Sequence, residues 1–136
     1  MRIEPYLFFD GRCEEAIEFY RKTVGAEVVM LTRYKDSPDK NSDMTPPNSG
    51  EKILHSTLRI GDSTVMASDG FCRGHPEFKG FSLSLGLADD NEAERLFTAL
   101  ADGGTVHQPL IKTFFASRFG MLADKFGVQW MVVSGQ

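Results

Sequence analysis

The sequence predicts an α+β protein made of tandem βαβββ modules, their mixed sheets curled into an open cup. Three observations carry that reading. The order strand, helix, strand, strand, strand runs once through each half of the 136 residues. Ala16 and Tyr20 are echoed by Ala93 and Phe97 at a spacing of 77, and Gly25 and Val28 by Gly103 and Val106 after a one-residue slip. Finally, Phe81 to Leu87 alternates leucines and phenylalanine with Ser82, Ser84 and Gly86, giving one apolar and one small polar face. A four-stranded sheet with a helix on one face leaves the other uncovered, and two such faces can share a cup. The expected organisation is one domain, 1–136, with module one at 1–79 and module two at 80–136.

Each element has its own grounds. Ile3 to Phe9 is an apolar, aromatic run read as a strand, broken by Asp10-Gly11. Cys13, Ala16, Ile17, Tyr20 and Val24 recur at helical spacing. Glu14 and Glu15 lie in the first turn of that helix and Arg21 and Lys22 in the last, which suits the helix dipole. Gly25 is placed to end it in a left-handed conformation. Glu27 to Tyr34 reads as a strand. The polar, proline-bearing stretch 35–52 reads as a long loop, either a lid or a surface excursion. Strands follow at Ile53–Ile60 and Thr64–Ser68 around the turn Gly61-Asp62, then an irregular Phe71–Lys79. After Phe81–Leu87, Asp89-Asp90-Asn91-Glu92 has capping-box spacing for a second helix on Ala93, Leu96, Phe97 and Leu100, closed by Gly103-Gly104. Strands at Val106–Ile111, near Ala116–Leu122 and at Val128–Val133 complete the second module.

Composition removes several classes. No apolar run approaches about 20 residues, so no transmembrane helix is expected, and the first residues lack a signal peptide's apolar region. Fifteen Lys and Arg against 19 Asp and Glu leave a net charge of −4 with no basic stretch, which argues against nucleic acid. Two cysteines make neither a metal knuckle nor a disulfide scaffold. A cytoplasmic protein is the expectation. Eleven phenylalanines make its core aromatic.

Three stretches then carry a resemblance. They are Pro5-Tyr6-Leu7-Phe8-Phe9-Asp10-Gly11 with Glu15 to Tyr20, His55 to Asp69, and Phe119-Gly120-Met121 through Asp124-Lys125-Phe126-Gly127-Val128-Gln129-Trp130. With the paired modules, the chain resembles the PhnB-like branch of the vicinal oxygen chelate superfamily, which includes glyoxalase I, bleomycin-resistance proteins and extradiol dioxygenases. The resemblance implies a cup-shaped ligand site and, in many relatives, a divalent metal held by His, Gln or Glu. Aligned on the helices, the implied ligand positions fall on Pro5, Ser82 and Met131, with the remaining one near Met66 to Ser68. None of these suits such a metal. The expectation is therefore no cofactor, a divalent metal being possible only at a displaced site. Some sequences of this type carry a demethylubiquinone methyltransferase label, but the glycines here form no Gly-rich loop of a doubly wound sheet.

Each candidate site residue has a blander role beside its functional one. His55 suits an acid/base or weak metal ligand, and equally a hydrogen-bonded rim histidine. Asp69 suits a partner that orients His55 from the adjacent strand, or an ordinary turn aspartate. Ser82, Ser84 and Gln129 are expected to line the cup as ligand-binding residues. Arg118 suits an anionic ligand, or snorkels over its neighbouring phenylalanines. Trp130 should pack inward against a helix. Cys13 reads as buried, Cys72 as accessible, and His75 and His107 as surface residues. The functional expectation is a metal-independent small-molecule binder. The alternatives are a lyase, isomerase or dioxygenase relative with a metal displaced to His55 and Asp69, and a dimer with a vestigial cup. A homodimer is the expected assembly.

Overall fold

A computed structural model describes residues 1–38, 49–70 and 76–136. The chain divides into two compact units, Met1–Pro76 and Glu77–Gln136. The 35–52 loop and the Phe71–Lys79 stretch are therefore described only in part, and Cys72 and His75 lie outside the described residues.

In unit 1, β1 (Tyr6–Phe8), α1 (Cys13–Thr23), β2 (Glu27–Arg33), β3 (Ile53–Ile60) and β4 (Ser63–Ser68) follow in order, with a 3-10 turn at Tyr34–Asp36. The sheet order is β1-β4-β3-β2, with β1 parallel to β4 and the other pairs antiparallel. The apolar stripe of α1 buries Cys13, Ala16, Ile17 and Tyr20, while the sheet buries Leu7, Ser56, Leu58, Val65 and Ala67 on one face. Leu7, Ala67 and Ser56 form one row across β1, β4 and β3. The first strand is shorter than its apolar run suggested. Ile3 is 96% exposed, and Pro5, which has no N–H to give, joins the ladder only by accepting Met66 N at 2.9 Å.

In unit 2, β5 (Leu83–Leu87), α2 (Asp90–Ala101), β6 (Thr105–Ile111), β7 (Arg118–Ala123) and β8 (Gln129–Ser134) repeat the pattern. The sheet order is β5-β8-β7-β6, with β5 parallel to β8. Leu85, Val132 and Gly120 form the row that corresponds to Leu7, Ala67 and Ser56. Gly120 lets α2 approach β7 closely, since a Cβ there would stand 2.6 Å from Phe97 Cε2. The fifth strand starts at Leu83. Phe81, 45% exposed, and Ser82 precede the strand. At the helix start, Asp89 accepts from Asn91 N at 3.1 Å. Glu92 turns forward to Arg95 instead of back to the cap, so only half the capping box forms.

A carboxylate closes the joint between last strand and helix in each unit, from opposite sides. Arg12 gives α1 no side-chain cap. Asp69, one residue past β4, supplies it: Oδ1 accepts Gly11 N at 2.6 Å and Cys13 N at 2.9 Å, and Oδ2 accepts Ile53 N at 2.9 Å. The corresponding place in unit 2 is Ser134, two residues past Val132 as Asp69 is two past Ala67. Here the helix bears the acid. Asp90 Oδ1 accepts the hydroxyls of Ser134 at 2.7 Å and Ser117 at 2.5 Å. A third carboxylate, Asp124, organises the last hairpin. Its Oδ1 accepts Phe126 N and Val128 N, and its Oδ2 accepts the Trp130 indole N–H at 2.9 Å. The Asp-Lys-Phe-Gly-Val-x-Trp signature thus includes a hydrogen-bonded turn that fixes a buried tryptophan.

Two predictions follow from these joints. Asp69→Asn turns an acceptor into a donor facing backbone N–H groups, and should cost about 2–3 kcal/mol in urea unfolding. The exposed turn variant Asp62→Asn should cost almost nothing; equal effects would deny Asp69 this role. The Ser117 and then Ser134 hydroxyls hold the Asp90 carboxyl below its ordinary value of 3.8. A group lowered on folding stabilises the fold above its unfolded pKa, and that contribution is lost as pH falls through the folded value. The stability gap between wild type and Asp90→Asn should therefore be full at neutral pH and close as pH drops below 3.8. A gap that persists or widens in acid would contradict the arrangement.

Candidate functional site

Strand alternation sorts the chemistry of unit 1 onto two faces. Buried Leu7, Ser56, Leu58 and Ala67 share the face that carries Asp69 and α1. Tyr6, Phe8, His55 and Thr57 alternate with them and so lie on the opposite face, all half-buried. Tyr6, Met66 and Thr57 form one row across β1, β4 and β3. Two residues before Thr57 along β3, His55 is reached by the Tyr6 phenol across β4. The Tyr6 hydroxyl lies 2.9 Å from His55 Nδ1, and His55 Nε2 lies 3.1 Å from Thr57 Oγ1. The Tyr6 ring stacks on Phe8 at 4.9 Å and tilts against the imidazole at 5.5 Å. Both imidazole nitrogens therefore meet hydroxyls, and each hydroxyl can donate or accept.

Asp69 does not join this set. Its two oxygens are taken up by three backbone N–H groups on the helix side, so the expected His55–Asp69 pair is replaced by Tyr6–His55–Thr57. The physical reason is parity: His55 and Asp69 belong to opposite faces of the sheet.

Arg118 is also placed differently from expectation. It shares the helix face with Gly120 and Leu122, its Nε lies 3.2 Å from Glu94 and its Nη1 3.8 Å from Asp90, both on α2. Ser84 and Gln129 do alternate away from the helix face, Ser84 exposed opposite Met131 and Gln129 bonded through Nε2 to Gly127 O at 3.3 Å. The sheet ladders also correct the helix-based alignment, which carried Pro5 to Ser82. They set Tyr6 against Ser84, Thr57 against Met121 and His55 against Phe119. Ala16 lies ten residues after Tyr6 whereas Ala93 lies nine after Ser84, and that one residue is enough to change faces.

These positions do not fit a chelated divalent metal. On the faces away from the helices, the first strands offer Tyr6 and Phe8 in unit 1 and Ser84 and Gly86 in unit 2, β4 and β8 offer Met66 and Met131, and His55 on β3 and Gln129 on β8 are each engaged in hydrogen bonds. Among the described residues there is no group of three His, Cys, Asp or Glu side chains able to hold an ion.

Comparison with known proteins agrees with this architecture. The family described as 3-demethylubiquinone-9 3-methyltransferase matches residues 1–133. The chain belongs to that PhnB-like family. Its neighbours place it in the vicinal oxygen chelate superfamily. Protein YjdN of Escherichia coli is 35% identical, over 97% of this chain and 94% of that protein. The crystal structure of PA1353 from Pseudomonas aeruginosa superposes with a TM-score of 0.87 at 42% identity, covering 100% of this chain and 98% of the other. The PhnB protein from Bacillus cereus gives 0.81 at 28%, over 99% and 100%. The fosfomycin resistance protein FosX from Mesorhizobium loti, 13% identical with a TM-score of 0.65 over 100% and 92%, shares the fold alone.

Tyr6 and Thr57 are the site residues that sequence reasoning missed. The signal for Thr57 was its shared alternation with His55. Tyr6 could be found only by setting β1 beside β4, a parallel register that no local pattern encodes.

Proposed function

We propose that the protein binds a small molecule on the face of the unit 1 sheet opposite α1, held by Tyr6, His55 and Thr57 and without a bound metal. One observation carries the reading: an imidazole fixed through both nitrogens by hydroxyls, beside a stacked aromatic pair, all half-buried. Such a surface combines apolar area with a few oriented polar groups, as ligand sites do. Coordination of a metal by either His55 nitrogen would break one of these hydrogen bonds. The metal-dependent alternative also needs Asp69, whose oxygens are committed to backbone N–H groups. Methyl transfer, the activity in the family's description, draws no support from this geometry. The helices that follow the parallel strands β1 and β5 have their N-termini filled by carboxylates, where a donor's own carboxylate or hydroxyls would otherwise sit.

The test is a thermal-shift screen with aromatic antibiotics, dicarbonyl–thiol adducts and phosphonates, alongside elemental analysis after zinc, nickel or manganese loading. At least one compound should raise the melting temperature. His55→Ala should weaken its binding at least tenfold, and Arg118→Ala should leave it unchanged. S-adenosylmethionine should give no heat in calorimetry. One equivalent of retained metal, or hits insensitive to His55, would contradict the reading.

A homodimer is proposed as the working form, joined edge to edge through β2. The outer edge of β6 contains Pro109, a residue that protects sheet edges, whereas β2 contains none and exposes Val28, Val29, Met30 and Leu31. The charges at the two ends of β2 are paired within the chain, Glu27 with Arg59 and Arg33 with Glu14, so the apolar residues between them carry the proposed contact. Light scattering should give twice the chain mass, and Val29→Lys should halve it; a wild-type monomer would refute the interface. A cytoplasmic location is proposed with it, supported by the scarcity of cysteine; no helix among the described residues is long and apolar enough to cross a membrane.

A further inference from the structure

We infer that the Tyr6–His55–Thr57 chain is an amphiprotic reader for a neutral, planar aromatic ligand bearing a phenolic hydroxyl or a carbonyl, and that the ligand sets the His55 tautomer. The inference rests on the unit 1 face being the binding site. It begins with the two hydrogen bonds of 2.9 Å and 3.1 Å that occupy the two imidazole nitrogens. A neutral imidazole carries one proton, so the chain has two self-consistent arrangements. In the first, the Tyr6 O–H donates to Nδ1, and the proton on Nε2 is given to Thr57 Oγ1. The Tyr6 oxygen then offers only lone pairs to a ligand. In the second, Nδ1–H donates to the Tyr6 oxygen and the Thr57 O–H donates to Nε2. The phenol proton is then turned outwards. No net charge is created in passing between them, and both imidazole nitrogens stay hydrogen-bonded in each. A ligand hydroxyl selects the first arrangement and a ligand carbonyl the second, by differential affinity alone.

Charge and shape restrict the ligand further. His55 is flanked by hydroxyls, and no carboxylate takes part in its hydrogen bonds. Arg59, on the same alternation of β3, is neutralised by Glu27. A phosphonate or carboxylate would thus give up hydration with no uncompensated cation to replace it among these residues. The Tyr6 and Phe8 rings, 4.9 Å apart and inclined at 30°, lie half-buried on this face with Met66 beside Tyr6 in the same row. Such a surface suits an aromatic plane. The counterparts in unit 2 are Ser84, Met131, Met121 and Phe119, so the polar chain is specific to unit 1.

A matched series tests this on the intact protein: naphthalene, 1-naphthol, 1-acetonaphthone, 1-naphthoate and 1-naphthyl phosphate, followed by NMR of isotopically labelled histidine. 1-Naphthol should move the His55 ring carbon and nitrogen signals towards the Nε2–H tautomer, and 1-acetonaphthone towards Nδ1–H. Both should bind at least tenfold more tightly than naphthalene and than either anion. Tyr6→Phe, which keeps the ring and its stacking, should abolish both tautomer shifts and reduce both affinities to that of naphthalene. Should that variant fail to fold, the opposite shifts in wild type still decide. Shifts in the same direction, or none on binding, would overturn the reader while leaving a binding face. Tighter binding of the anions at these residues would do the same. If none of the five perturbs Tyr6, His55 or Thr57, the inference fails together with the proposed site.

Discussion

The strand-to-helix joint is the constraint on which both units depend. A helix on one face of a small sheet must be fixed in angle and register, and its first N–H groups need acceptors in a place shielded from water. Unit 1 meets this with a strand-borne acid, Asp69, accepting from the chain just before α1, from α1 itself and from the start of β3. Unit 2 meets it with a helix-borne acid, Asp90, accepting from serines at the two strand ends. The same three elements converge in each case, with donor and acceptor exchanged. The two units keep one sheet order although donor and acceptor are exchanged at this joint.

Fixing the helix to one face gives the other face its character. In unit 1 the row Tyr6, Met66, Thr57, with His55 beside it, assembles a continuous hydrogen-bond chain and an aromatic stack. The corresponding places in unit 2 carry Ser84, Met131, Met121 and Phe119, which are apolar apart from one exposed hydroxyl. Duplication therefore yields one face with chemistry and one that is mostly oily. Among the described residues, Asp69, Asp89 and Asp90 serve the joints, Asp124 its own turn, and Glu14, Glu27, Glu51 and Glu94 ion pairs. The proposed site, built from hydroxyls and an imidazole with no carboxylate bonded to the ring, is suited to neutral groups.

Much of this was legible in the residues. The two helices follow from their apolar stripes, Gly25 and Gly103 end them with φ of +68° and +76° as left-handed caps, and the element order survives intact. The family follows from the same stretches, above all the Asp124 to Trp130 signature, though that signature turns out to hold a turn together. The site was legible only in part. His55 stood out by type, but its partner depended on the parallel pairing of β1 with β4, which is non-local. Asp69 looked functional because an acid at a strand end has the same appearance whether it faces a ligand or a helix. Arg118 was misplaced for a similar reason. Aromatic neighbours on both sides conceal the parity that sends the guanidinium to Glu94 and Asp90 on α2.

The central claim is that structure and chemistry occupy opposite faces of the unit 1 sheet: Asp69 secures the joint, and His55 serves a ligand. A double-mutant cycle between Asp69→Asn and His55→Ala, read as unfolding free energy, tests it most directly. Residues on separate faces with no shared partner should add, leaving a coupling within about 0.5 kcal/mol of zero. A coupling well above about 1 kcal/mol would mean that the two form one network, and would contradict the separation.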